Sequence, residues 1–256
     1  MNCKFCDGFS HQLKAGMGKR ALAAVLIAFA GLSVVPAKAD SLDAFENLSQ
    51  DQFETVARNL SAATHYKSIS PVEPLGTLGF DVGLEISSTN IDDDLFDIAS
   101  SDGFSGGELI VPRVHVHKGL PFGLDVGASL SQVPDSDFSI IGGELRYSFV
   151  EGGVISPAIG IRLTHSRVEG ASDFDLNSTG LEASISKGIL IFTPYAGAGI
   201  VRSNADPVGV DTLSEETYDQ RKIYVGVTMN IGFALTAEVE RTGDYRTYSV
   251  KGGIRF

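Results

Sequence analysis

From Gly76 to Phe256 the chain alternates with a period of two, and no segment of helix length in that region carries a 3.6-residue pattern. Period two sends successive side chains to opposite faces of an extended strand. Ten runs of about ten residues can be marked: 76–89, 107–117, 122–133, 139–149, 156–167, 174–186, 191–203, 221–231, 233–242 and 245–256. In each run one face is apolar and the other polar or small. The first places Phe80, Val82, Leu84 and Ile86 opposite Asp81, Gly83, Glu85 and Ser87. The eighth places Ile223, Val225, Val227, Met229 and Ile231 opposite Lys222, Tyr224, Gly226, Thr228 and Asn230. Such a chain is all-β, and ten runs is the even number that a closed antiparallel barrel of this kind requires.

Two architectures alternate in this way. A soluble β-sandwich wets one face of each sheet, whereas a closed transmembrane barrel is apolar outside and polar inside. The connections favour the barrel. Those at 90–106, 134–138, 168–173, 204–220 and 243–244 fall at one end and include both long ones, while 118–121, 150–155, 187–190 and 232 are short. On the apolar faces Phe80, Phe122, Phe149, Phe192, Phe233 and Phe256 all lie at strand ends beside the short turns. Rings sorted to one level mark a membrane interface, and a sandwich gives no reason for it. The fold expected is a closed antiparallel transmembrane β-barrel of about ten strands, with eight or twelve as alternatives. Pro112, inside the second run, removes a ladder donor and predicts a bulge or a shifted boundary there.

The last run, YSVKGGIRF, alternates apolar residues up to a terminal Phe. It resembles the C-terminal insertion signal of Gram-negative outer-membrane barrels, and the whole pattern is similar to the small OmpA-like barrels. The resemblance implies an outer-membrane location and insertion by the barrel assembly machinery, which would read Tyr248, Val250, Ile254 and Phe256 as lipid-facing residues. Outer-membrane lipid and lipopolysaccharide are the implied partners. The pattern departs from the smallest members in having ten strand candidates rather than eight, and in carrying no peptidoglycan-binding domain after the barrel.

Two segments precede the alternating region. Residues 21–35, ALAAVLIAFAGLSVV, follow Lys19 and Arg20 and precede an A-x-A site at Ala37, Lys38 and Ala39. Basic flank, short apolar run and small-residue site, in that order, predict a secretory signal peptide over 1–39, with Met17 as an alternative start. Removing it takes five bases and one acid from totals of 20 and 32, leaving 15 against 31. A chain so acidic is no general nucleic-acid binder. Both cysteines, Cys3 and Cys6, go with the signal. Residues 40–75 are expected to be a periplasmic leader. Within it, Ser49 and Gln52 form a capping box, and Phe53, Val56, Ala57 and Leu60 form a stripe. This predicts a helix from Gln50 to about Thr64, either entering the barrel end or lying on a surface.

The lumen faces carry Asp81, Glu85, Asp125, Glu144, Glu182, Glu238 and Glu240 against Arg113, Arg146, Arg162, Lys222, Lys251 and Arg255. Seven acids and six bases in a narrow interior predict a plug of paired charges, because a buried charge left unpaired costs several kcal/mol, roughly 3–5. A narrow channel is the alternative. His115 and His117 face the lumen two residues apart but have no evident third ligand, so they are assigned to the polar network, and no metal or cofactor is expected. A hydrolase at the outer rim would have to use His165 and Ser166, and adjacent strand residues point to opposite faces. No enzymatic activity is therefore expected. DFDLN at 173–177 fails as a calcium loop, with Ser178 at the glycine position and Ser184 at the bidentate glutamate position. The acidic outer connections read as a solvated surface. Gly83, Gly127, Gly197, Gly199 and Gly226 are expected where the lumen is crowded.

Overall fold

The computed structural model describes residues 47–92, 98, 107–132, 138–153, 155–169 and 174–256. The expected signal peptide, its cleavage site at Ala37 and Ala39, and Met17 lie outside these residues. One helix, α1 (Gln50–Thr64), precedes ten strands: β1 (Phe80–Asn90), β2 (Glu108–Gly119), β3 (Leu124–Gln132), β4 (Ser139–Glu151), β5 (Ala158–Glu169), β6 (Phe174–Ser186), β7 (Phe192–Pro207), β8 (Glu216–Asn230), β9 (Ala234–Thr242) and β10 (Tyr245–Arg255). Each strand pairs antiparallel with its neighbours in chain order, and β10 returns to β1, so a single sheet closes on itself. A two-sheet sandwich is thereby excluded.

The seam runs from Asp81 opposite Arg255 to Thr89 opposite Thr247. Beyond it, the Phe80 and Phe256 backbones exchange hydrogen bonds of 2.7 and 3.0 Å, and their rings meet at 3.8 Å between centroids. The last residue of the chain is thus part of the closure. Along β10 the outward set is Tyr248, Val250, Ile254 and Phe256, and the inward set is Thr247, Ser249, Lys251 and Gly253. The other strands follow the same parity, broken in β4 by a bulge between Ser148 and Val150. Val82, Leu130, Leu145, Leu163, Leu181, Ile200, Val225 and Val239 are exposed, while Asp81, Arg146, Arg162, Glu182, Lys222 and Glu240 are buried. This is the inside-out polarity of a transmembrane barrel.

That polarity holds only in the part of the barrel nearest the short turns. Toward the long connections the inward positions become apolar: Val111, Ile140, Val168, Leu176, Ala205 and Tyr218 close around Phe53, Val56, Ala57 and Leu60 of α1. Outward positions at that height become charged, as with the ion pairs Arg202–Asp219 and Arg167–Asp175. A strand of about 10 residues crosses a bilayer, whereas β7 has 16 residues and β8 has 15. The surplus forms a soluble-type collar around α1. This is also why β8 begins at Glu216 rather than near 221: TYDQ alternates with its apolar member turned inward, the opposite of the membrane pattern.

Pro112 causes no bulge. The β1–β2 register runs unbroken from Phe80 opposite Lys118 to Asn90 opposite Glu108, and pairing of β2 with β3 starts only at Val114. Pro112 lies past the end of that second ladder, where its missing donor has no pairing to lose.

Candidate functional site in the barrel interior

The helix enters the barrel, and the chain continues through it. Residues 47–75 of the expected leader thus lie inside the barrel. The capping box forms as predicted, with the Gln52 N–H donating to Ser49 Oγ at 3.4 Å and the Ser49 N–H to Gln52 Oε1 at 2.9 Å. At this end Gln50 bonds Ser214 and Glu216 beside the β7–β8 connection, which fixes the start of α1 at the long-loop rim. The far end of α1 stops inside the lumen. Helix C-termini leave carbonyls without partners, and here donors from beyond the helix supply them. The His65 N–H and Nδ1 approach Ser61 O at 2.9 and 3.0 Å, Lys67 Nζ donates to Ala62 O at 2.9 Å, and Arg113 Nη2 to Ala63 O at 3.2 Å. Two cations at a helix C-terminus also suit its dipole.

Residues 65–75 then descend to the short-turn end, and the wall holds their backbone. Arg146 Nη1 donates to Ser70 Oγ at 2.9 Å and to Pro71 O at 3.0 Å. Arg162 donates to Ser70 O and Ser148 Oγ to Val72 O. Lower down, Arg255 Nη2 donates to Glu73 O at 3.0 Å, and the Leu75 N–H donates to Asp125 Oδ1 at 3.0 Å. An extended segment has no internal partners for its polar groups, so burial requires such donors and acceptors from outside.

Every predicted lumen charge faces inward, and most are paired. Asp81 meets Lys251 at 3.1 Å and Arg255 at 3.5 Å; Glu85 meets Arg113 at 3.1 Å and also His115; Asp125 meets Arg146 at 2.7 Å. Glu144 is ringed by His117 at 3.6 Å, Arg146 at 3.8 Å and Arg162 at 3.9 Å. Lys222 joins Glu182 at 2.7 Å to Glu240 at 3.2 Å. Glu238 instead accepts from Tyr195 Oη at 2.6 Å. Three members were not foreseen. Lys67 reaches Glu240 at 2.8 Å, His65 approaches the same oxygen at 3.2 Å, and Tyr66 Oη lies 3.0 Å from His117 Nε2. Lys67 is fully buried. The only sequence signal for them was a Lys and a His just after the predicted helix, in the expected leader.

Crowding accounts for the inward glycines. A Cβ on Gly197 would come within 2.3 Å of the Tyr224 ring, and one on Gly226 within 2.4 Å of the Tyr195 ring. Each glycine sits opposite the tyrosine it accommodates, Gly197 against Tyr224 and Tyr195 against Gly226. His165 and Ser166 face opposite sides, His165 outward with Nδ1 2.9 Å from Thr179 Oγ1 and Ser166 buried inside. The described residues hold no cluster of His, Cys, Asp and Glu able to ligate a metal.

No family model and no curated protein matches the chain. Among solved structures, the N-terminal β-barrel domain of Pseudomonas aeruginosa OprF aligns with a TM-score of 0.38 and 13% identity over 71% of this chain and 99% of that one. Neisserial surface protein A gives 0.31 and 14% over 69% and 95%, and the KdgM porin 0.34 and 10% over 68% and 99%. These are outer-membrane-type barrels. Assignment of this chain to the same fold class stands on its own closed ladder and inside-out polarity.

Proposed function

We propose that this chain is an exported, integral outer-membrane β-barrel whose interior is occluded by its own residues 47–75, and whose role is structural or surface-interacting rather than that of an open channel or a hydrolase. Residues 1–39 serve as the signal peptide, cleaved after Ala39. The assembly machinery reads the last strand through Tyr248, Val250, Ile254 and Phe256, and the finished barrel sits among outer-membrane lipid and lipopolysaccharide. The observation that carries the occlusion is the course of residues 50–75, which run from rim to rim and are gripped by Arg113, Arg146, Arg162, Arg255 and Glu240 on different strands. Separation of His165 from Ser166 supports a non-enzymatic role.

Planar-bilayer recording tests the occlusion. The full-length protein is expected to pass no steady current, and a variant lacking residues 47–75 to conduct, since its polar lumen would hydrate. Steady conductance from the full-length protein would favour the narrow channel. Should the deletion fail to assemble, the pair Arg146→Ala and Arg162→Ala, which loosens the segment without removing it, is expected to give flickering openings. On gels the unboiled barrel should migrate differently from the boiled one; no shift, with release from membranes by salt, would overturn the membrane assignment.

A further inference from the structure

The outward surface changes character at one height. On β7, Arg202 stands ten residues above Phe192; on β10, Arg246 stands ten above Phe256; on β8, Arg221 stands ten above Ile231. With about 3.4 Å of rise per residue and a tilt of about 40°, ten residues climb about 26 Å, close to the roughly 25 Å apolar band of such barrels. Between these levels every outward position is uncharged: Ile223, Val225, Val227 and Met229 on β8, and Tyr248, Val250, Gly252 and Ile254 on β10. An aromatic girdle therefore closes the band at the short-turn side and arginines close it at the other.

Not all of these arginines have protein partners. Arg202 pairs with Asp219 at 2.8 Å and Arg167 with Asp175 at 3.4 Å. Arg241 reaches Asp244 at 3.2 Å and Gly243 O at 3.1 Å. Arg221 and Arg246 make no side-chain hydrogen bond or ion pair among the described residues. The register sets Arg246 directly opposite Arg241, and the Gly243 N–H donates to Arg221 O at 2.8 Å, so the three guanidinium groups share one face of β8–β9–β10. Like charges directly opposite each other in a sheet destabilise it. Arg241 and Arg246 also border an open groove of about 570 Å³ that includes Ile91, Asp92 and Tyr245. In a chain with a large acidic excess, three arginines thus face outward at the edge of the hydrocarbon, two of them with no protein partner among the described residues.

We propose that Arg221, Arg241 and Arg246 form a binding site for the phosphate groups of an outer-leaflet glycolipid. This rests on the chain being a membrane-spanning barrel. Guanidinium groups bind phosphate in bidentate geometry, and long arginine stems can lie along the apolar band while the charge sits at headgroup depth. Asp244 orients Arg241 without neutralising the other two.

The test compares retention of bisphosphorylated lipid A and of its phosphate-free counterpart by the purified full-length protein in detergent, read by native mass spectrometry. Wild type is expected to retain the phosphorylated lipid. The double variant R221Q/R246Q should retain it about thirtyfold less well, the loss for two surface basic contacts. R221K/R246K, which keeps the charge but loses the bidentate geometry, should recover only part of it, and R167Q, on the other side of the barrel, should behave as wild type. Equal retention by R221Q/R246Q or equal retention of the phosphate-free lipid would each overturn the proposal. The heat-dependent gel shift is read on the same samples, so failure of the barrel assignment is distinguishable from failure of this site.

Discussion

Lys67 illustrates what the lumen demands of a single residue. Its ammonium is wholly buried, yet it meets a helix carbonyl and Glu240, whose other oxygen lies 3.2 Å from Lys222. Removing one partner of a buried ion pair costs about 3–5 kcal/mol. The remaining cations on Glu240 put Lys67→Ala at the low end, about 3 kcal/mol, measurable as a lowered temperature of the gel-mobility transition. Lys67 was not legible in the sequence, because what defines it is a partner 173 positions away. The strand charges were legible, since parity alone turns Glu85, Arg146 and Lys222 inward.

At the scale of elements, α1 could be read directly and its position could not. Ser49 and Gln52 announce the N-terminus, and the stripe of Phe53, Val56, Ala57 and Leu60 announces a buried face. An amphipathic stripe does not say what covers it. Here the cover is the apolar collar, where Phe53 meets Phe174 edge-on at 6.0 Å between centroids. The collar was hidden because its strands keep the period of two while exchanging which face is apolar. For the same reason the 204–220 connection contracts once β7 and β8 extend above the membrane. Phe53→Ala should cost about 3–5 kcal/mol, the range for a fully buried aromatic. The loss is expected as early protease cleavage within residues 47–75 while the barrel itself keeps its gel shift. Simultaneous loss of both would mean that α1 and the barrel form one cooperative unit.

The molecule as a whole is a barrel closed around a segment of its own chain. An even number of antiparallel strands puts the start of β1 and the end of β10 at the same end, beside the short turns that in such barrels face the periplasm. Residues 65–75 lead away from that end, up the lumen, to α1 at the opposite rim. The β1–β10 seam must therefore close with this segment already inside, or the segment must thread a finished barrel whose inward tyrosines and arginines leave little room. In the proposed orientation either route carries the start of α1 to the outer surface. Asp51, exposed in the first turn of α1, reports on it. In intact cells Asp51→Cys is expected to react with a membrane-impermeant maleimide, because the only native cysteines, Cys3 and Cys6, lie in the proposed signal peptide. Ser156→Cys, exposed in the short connection between β4 and β5, should react only after the outer membrane is permeabilised. The reverse pattern would invert the barrel in the membrane and move the arginine level to the periplasmic leaflet. Labelling of both positions in intact cells would instead mean that the short turns are not shielded, which a membrane-spanning barrel does not allow.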